Sequence, residues 1–228
     1  MRCLITGAAG QVAYSLIPMI GNGNAFGHFQ AIDLVLFDLE LQKKRLEGIR
    51  MEIEDSNFKM ISSITCTVDP EVAFKDASIV IFIGSKPRTQ GMNRSDLLTE
   101  NKKIFFEQAT LMKRLSKPDV KILVVGNPAN CNALIIAETA KEIPRENITS
   151  LMRLDHNRVI SAIALHKGIQ FHKISNSFVF GNHSPTLCPC LTKMAVNHQH
   201  FPQDDTFHKW VNNSLIPVKD CVNKECKI

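Results

Sequence analysis

The chain has 228 residues, 44% hydrophobic and 21% charged, with a formal net charge of +5. That describes an ordinary globular protein, long enough to bury a core in one large domain or two unequal ones. The basic excess is mild and scattered apart from Lys43-Lys44-Arg45, aromatics are too sparse for a stacking platform, and no apolar run approaches about eighteen residues. Nucleic acid and membrane are therefore not expected partners, whereas an anionic small molecule suits the charge.

The N-terminus opens directly as a strand, with no signal-peptide pattern. Seven cysteines, an odd number spread along the chain, are expected as free thiols in a reducing compartment. The expected location is cytoplasmic.

In chain order, short apolar runs alternate with helix-length segments, the signature of a parallel α/β sheet. The runs at 2–6, 33–37, 64–68, 79–83 and 121–125 predict strands apolar on both faces, as buried parallel strands are. Helices are expected at 11–20 and at 41–56, where Leu46, Ile49 and Ile53 make one stripe. Further helices are expected at 95–115, with Ser95 as N-cap, and at 132–143, stopped by Pro144. The pattern changes near residue 151: a helix at 155–168 closed by Gly168, a strand at 173–180, then fading periodicity beyond Leu187. The expected domains are 1–152 and 153–228, with no flexible linker between them.

"LITGAAGQVAYSL" sets Gly7 and Gly10 between the first strand and a helix, with Ala13 at the third position of a G-x-x-G-x-x-[GA] spacing. The first glycine permits a tight turn, the second lets backbone approach a pyrophosphate on the helix N-terminus, and the third residue is small for close packing. Asp38 ends the second strand, where a carboxylate accepts from ribose hydroxyls and repels a 2′-phosphate. The expectation is a Rossmann-type doubly wound parallel sheet that binds NAD, followed by the beginning of a second α+β substrate domain. Lys43–Arg45 could in principle hold a 2′-phosphate, but a basic triplet on a helix is more often a solvated face.

Further signals fall where ligands bind in open α/β sheets. "GSKPRTQGMNRSDLL" (84–98) carries Arg88 and Arg94, with Gly84 and Gly91 as candidate hinges of a lid. "GNPAN" (126–130) follows the fifth strand. "RLDHNR" (153–158) puts Asp155 and Arg158 three apart on one helix face, a spacing that alone suggests a surface ion pair. "GNHS" supplies His183, whose imidazole can exchange a proton near neutral pH with a carboxylate to hold its tautomer.

Taken together, "LITGAAGQVAYSL", "PRTQGMNR", "VVGNPAN", "RLDHNR" and "GNHS" resemble the cytosolic type of malate dehydrogenase, in the lactate/malate dehydrogenase family, almost continuously from residue 1 to about 187. The resemblance implies hydride transfer between malate or oxaloacetate and NAD. It makes His183 the proton acceptor and donor, with Asp155 as its orienting carboxylate. Arg158 would fork onto the C1 carboxylate, Arg94 polarise the C2 oxygen, and Arg88 pair with the distal carboxylate. The cofactor set is Gly7, Gly10, Gln11, Asp38 and Asn127, Asn127 touching substrate as well. Relatives that use lactate carry an uncharged residue where Arg88 stands. A monocarboxylate would leave that guanidinium unpaired, at a cost of roughly 2–5 kcal/mol. Family members pair through helices matching 41–56 and 155–168, so a homodimer is expected.

The chain departs from the family pattern at Lys86, in place of an apolar residue, at Thr89, in place of a basic one, and at Phe180, in place of tryptophan. The resemblance fades after "TLCP" and the chain stops at Ile228, short of the family's usual length, so the second domain is expected to be incomplete. The alternative reading is a short NAD-binding or interaction protein without turnover. In the tail, Cys188, Cys190, His198, His200, Cys221 and Cys226 fit zinc spacings poorly, and no metal is expected.

Overall fold

The computed structural model describes residues 1–87, 89, 91–181 and 187–215. The chain divides into two compact units, Met1–Leu151 and Met152–Ile228.

In the first unit six strands form one parallel sheet: β1 (Arg2–Thr6), β2 (Ile32–Phe37), β3 (Ile61–Thr67), β4 (Ile79–Phe82), β5 (Lys121–Val124) and β6 (Ile148–Ser150), in the order β3-β2-β1-β4-β5-β6. This is the doubly wound Rossmann order, in which the chain reverses between β1 and β4. Strand side chains alternate between two cores. Leu4, Val35, Val80 and Phe82 face one with Phe74, Phe105 and Met112. Cys3, Ile5, Leu34, Leu36 and Ile81 face the other with Ala13, Ile17, Leu46, Ile49 and Ile53. Burial on both faces is why the strands lack a polar side.

The helices are α1 (Gln11–Gly21), α2 (Lys43–Ser56, after a 3₁₀ turn at Glu40–Gln42), α3 (Pro70–Phe74), α4 (Arg94–Leu115) and α5 (Ala129–Thr139). The expected stripe on α2 is the buried one. On α4 the cap is Asn93 rather than Ser95. The Asn93 side chain accepts from Asp96 N–H at 2.9 Å, and the Asp96 carboxylate accepts from Asn93 N–H at 3.1 Å. This reciprocal box satisfies two donors, which a serine two residues later could not do. α5 starts three residues before the expected position and stops four residues earlier than expected.

The second unit holds α6 (Arg153–Lys167), ended by Gly168 at φ +65°, and α7 (Asp205–Trp210), with a short π-helical turn after it. The strand expected over 173–180 is two strands, β7 (Ile174–Ser175) and β8 (Phe178–Phe180), because Asn176 takes φ +56° and turns the chain between two sheets. β8 pairs with β9 (Cys188–Cys190), and β7 with β10 (Ala195–Val196), which also pairs with β11 (Gln199–His200). Met194, Phe207 and Val211 from beyond the fading pattern bury against Val159 and Ile163 of α6. Among the described residues no helix is long and apolar enough to cross a membrane.

Candidate active site

The site is built where β1 and β4 end. Gly7 leaves β1 at φ +66°, and its backbone lies so close to the chain after β4 that a Cβ on it would fall 2.5 Å from both N and Cα of Gly84. Gly84 N–H donates to the Thr6 carbonyl at 3.0 Å, which fixes the approach. Gly84 is therefore a packing position and not the hinge expected from its place in the loop. Gly91, at φ +85° with open space around it, keeps that freedom. Gly10 precedes α1 and no side chain caps the helix. Its first-turn donors and positive dipole end are left open to an anion.

A cleft of about 730 Å³ opens over this turn. It is lined by Gly7, Gly10, Gln11 and Asp38, so four of the five expected cofactor residues come together, joined by Gln42, Arg45, Ile104 and Gln108. Asn127, exposed and joined to Pro128 by a cis peptide, is not among the lining residues. The Asp38 carboxylate accepts from Ala9 N–H at 2.9 Å and from Leu39 N–H at 2.8 Å, which aims it at the glycine turn. Thr6 Oγ1 and Gln108 Oε1, both on cleft-lining residues, are buried without a hydrogen-bond partner among the described residues. Buried acceptors of this kind are normally satisfied, and a ligand bearing hydroxyl or amine donors would do so. Gln108 carried no motif, and only its place on the inward face of α4 reveals it.

The loop expected to act as a lid is tied to α4 at Lys86. Asn101, fully buried on α4, accepts from Lys86 N–H at 2.8 Å and donates to the carbonyls of Lys86 and Leu97 at 3.3 and 2.9 Å. Lys86 Nζ also pairs with Glu100 at 2.6 Å, which holds the Glu100 carboxyl below its ordinary range. The unusual lysine thus ties the loop to α4. Arg94 is the first residue of α4. Arg88 lies outside the described residues.

In the second unit α6 begins two residues before Asp155, placing that acid in the first turn, where the helix dipole favours a carboxylate. Asp155 is 2% exposed. One turn on, Arg158 Nη1 is buried without a hydrogen-bond partner among the described residues, so the surface ion pair suggested by spacing alone is not what this face presents. His156 between them is structural: its Nε2 meets the Ser177 carbonyl at 2.9 Å. His183 lies outside the described residues. Cys3, Cys66, Cys131, Cys188 and Cys190 are free thiols. No group of His, Cys, Asp and Glu among the described residues is placed to hold a metal, and Cys221 and Cys226 lie outside them.

Residues 1–149 match the family described as lactate/malate dehydrogenase, NAD binding domain. The chain belongs to the lactate/malate dehydrogenase family. Malate dehydrogenase from Naegleria fowleri is 34% identical, with TM-score 0.90 over 100% of this chain and 71% of that one. Trichomonas vaginalis lactate dehydrogenase, solved with NADH and oxamate, is 32% identical, with TM-score 0.87 over 98% of this chain and 70% of that one. Malate dehydrogenase from Picrophilus torridus, 23% identical at TM-score 0.70, shares the fold. NAD is the cofactor of this family's N-terminal domain. The Gly7–Gly10 cradle, the uncapped start of α1 and the orphaned acceptors on Thr6 and Gln108 fit a dinucleotide.

Proposed function

We propose that the protein is an NAD-dependent malate dehydrogenase, with residues 1–152 holding the dinucleotide and 153–228 supplying the proton-transfer groups. Identity does not choose the substrate, since a malate and a lactate dehydrogenase stand at 34% and 32%. The observation that carries the choice is Arg88 in "PRTQGMNR", a cation at the position where the family resemblance implies an uncharged residue in lactate users. Arg158 supports a 2-hydroxy acid in general, because a guanidinium nitrogen buried without a partner among the described residues suits the C1 carboxylate that malate and lactate share.

When bound, NAD supplies the hydride acceptor for C2 of the hydroxy acid. His183 takes the hydroxyl proton and returns it in the reverse direction. Asp155, buried and at the favourable end of α6, orients the imidazole and stabilises its charged form. Arg158 binds the C1 carboxylate, Arg94 stabilises charge developing on the C2 oxygen, Arg88 holds the distal carboxylate, and Asn127 contacts substrate. Pairing of two copies through α2 and α6 belongs to the same reading.

The second reading is an NAD-binding protein of the same family without turnover. NADH oxidation by the 228-residue chain, with oxaloacetate and then pyruvate, separates the two. Turnover of oxaloacetate at least about 10²-fold above pyruvate is expected, the size of a charge-assisted bond lost from a desolvated site. Equal rates would overturn the substrate choice, and NADH binding without oxidation of either substrate would favour the second reading.

A further inference from the structure

The basic triplet at the start of α2 is not a uniform solvated face. Lys43 is turned to Glu40, with an ion pair at 3.7 Å in which both side chains are largely exposed. Arg45 instead lines the dinucleotide cleft with Asp38, Leu39 and Gln42. On the other side it borders a shallow recess with Gln11, Tyr14 and Glu52. Helix geometry explains the division, because Gln42, Arg45, Ile49 and Glu52 follow one another at intervals of three and four along one face. Lys43 and Lys44 fall on other faces.

No hydrogen bond or ion pair engages the Arg45 guanidinium among the described residues. Two nearby acids are occupied: Glu47 pairs with Arg50, and Asp38 accepts from Ala9 and Leu39 N–H. A free guanidinium at the rim of a nucleotide cleft, beside the carboxylate that reads the ribose, is an anion ligand lacking its anion. Arginine forks match phosphate geometry, and a nearby arginine is how such clefts accommodate a 2′-phosphate.

We propose that Arg45 makes the ribose end of this cleft a latent site for a 2′-phosphate, held closed by the Asp38 carboxylate, so that the protein binds NADPH as a weaker second dinucleotide. The inference rests on Asp38 being the ribose acceptor. Asp38 and Arg45 then act in opposition. The carboxylate repels the extra phosphate while the guanidinium attracts it, and the balance between them sets the NADPH-to-NADH selectivity.

The test is a fluorescence titration of the full chain with NADPH and with NADH, for the wild type, Arg45→Ala, Asp38→Ser and the double variant. Arg45→Ala should raise the ratio of NADPH to NADH dissociation constants in both backgrounds. In the Asp38→Ser background the rise should be about 10- to 100-fold, the size of one lost charge-assisted hydrogen bond. Lys44→Ala, on another face, should leave the ratio unchanged. The proposal is overturned if Arg45→Ala leaves the ratio where it was, or if both dinucleotides weaken equally, which would assign the guanidinium to the shared pyrophosphate. Asp38→Ser alone reports on the underlying reading: an unaltered ratio there sinks the ribose assignment, whatever Arg45 does. Both positions are on the surface of the cleft, and thermal unfolding of each variant checks that the fold is kept.

Discussion

Gly7 and Gly84 stand backbone to backbone where β1 and β4 end, closer than any side chain allows. A Cβ on Gly84 would lie 2.9 Å from Gly7 N, and one on Gly7 would lie 2.5 Å from Gly84 N. Neither neighbour is a flexible side-chain tip, so relief requires moving a strand end. Gly84→Ala should therefore destabilise the protein by roughly 1–3 kcal/mol, the usual cost of overpacking, and weaken NADH binding by shifting the turn. Gly91→Ala should cost only the strain of a positive φ, roughly 1–2 kcal/mol. Urea unfolding and NADH titration of both variants check this. A Gly84→Ala protein with wild-type stability and affinity would restore that residue to the loop as a hinge.

Gln108 separates stability from binding. Its buried Oε1 has no partner among the described residues, so the side chain carries a desolvation cost that a ligand would repay. Gln108→Leu, similar in size and without the orphaned acceptor, should unfold no earlier than the wild type yet bind NADH about tenfold more weakly. Thermal unfolding with and without NADH measures both effects. Loss of stability with unchanged affinity would show that Gln108 serves the core of the domain.

The loop base gives a pH signature. Lys86 depresses the carboxyl of Glu100, so the pair stabilises the folded chain above the ordinary glutamate range and loses that contribution as pH falls through the lowered value. Lys86→Met should return Glu100 toward its ordinary titration, visible in the ¹³C carboxyl shift. The Asn101 clamp should still hold the loop backbone in that variant. An unchanged Glu100 titration would mean that the pair does not form in solution.

How much of this was legible in the sequence depends on whether a signal is local. Gly7, Gly10 and Asp38 were readable because a strand, a turn and a helix start are contiguous, and the α2 stripe was readable because 3.6 periodicity marks its buried face. β6, with Thr149 and Ser150 in its three residues, has no apolar run to announce it and exists because β5 offers an edge to pair with. The break at Asn176 depends on a single left-handed residue inside an otherwise strand-like run. Gln108 was hidden, and Arg45 was not distinguishable from Lys43 and Lys44 in the basic triplet, for another reason. Being unpartnered is a property of what surrounds a side chain in space, and spacing along the chain does not encode it.

The cysteines divide by burial. Burial pushes the Cys3 thiol up to about 12 and the Cys66 thiol up to about 11, whereas Cys188 is exposed. Since the thiolate is the reactive form, iodoacetamide at pH 8 should modify Cys188 before Cys3 and Cys66. Cys3 and Cys66 should stay unmodified until the chain unfolds. Peptide mapping of a labelling time course reads the order, and early modification of Cys66 would show that β3 opens in the native state.

Arg158 is the strongest local test of the carboxylate-binding reading. Its Nη1 is buried and has no hydrogen-bond partner among the described residues, one helical turn beyond buried Asp155. An unsatisfied guanidinium nitrogen in that position costs stability in the free protein, and a bound carboxylate would remove the cost with two parallel hydrogen bonds. Three outcomes should then move together. Arg158→Leu, which packs the same stem without the charge, should leave the free protein as stable or raise its unfolding temperature. Arg158→Lys should keep the charge but lose the fork, lowering kcat/KM for oxaloacetate by about 10–100-fold, the worth of one charge-assisted hydrogen bond. Oxaloacetate or malate with NAD bound should raise the unfolding temperature of the wild type and do so far less for either variant, because ligand that binds only the folded state stabilises it. If Arg158→Leu unfolds the protein while Arg158→Lys turns over normally, the guanidinium is an anchor for the second unit, and the C1 carboxylate must be held elsewhere.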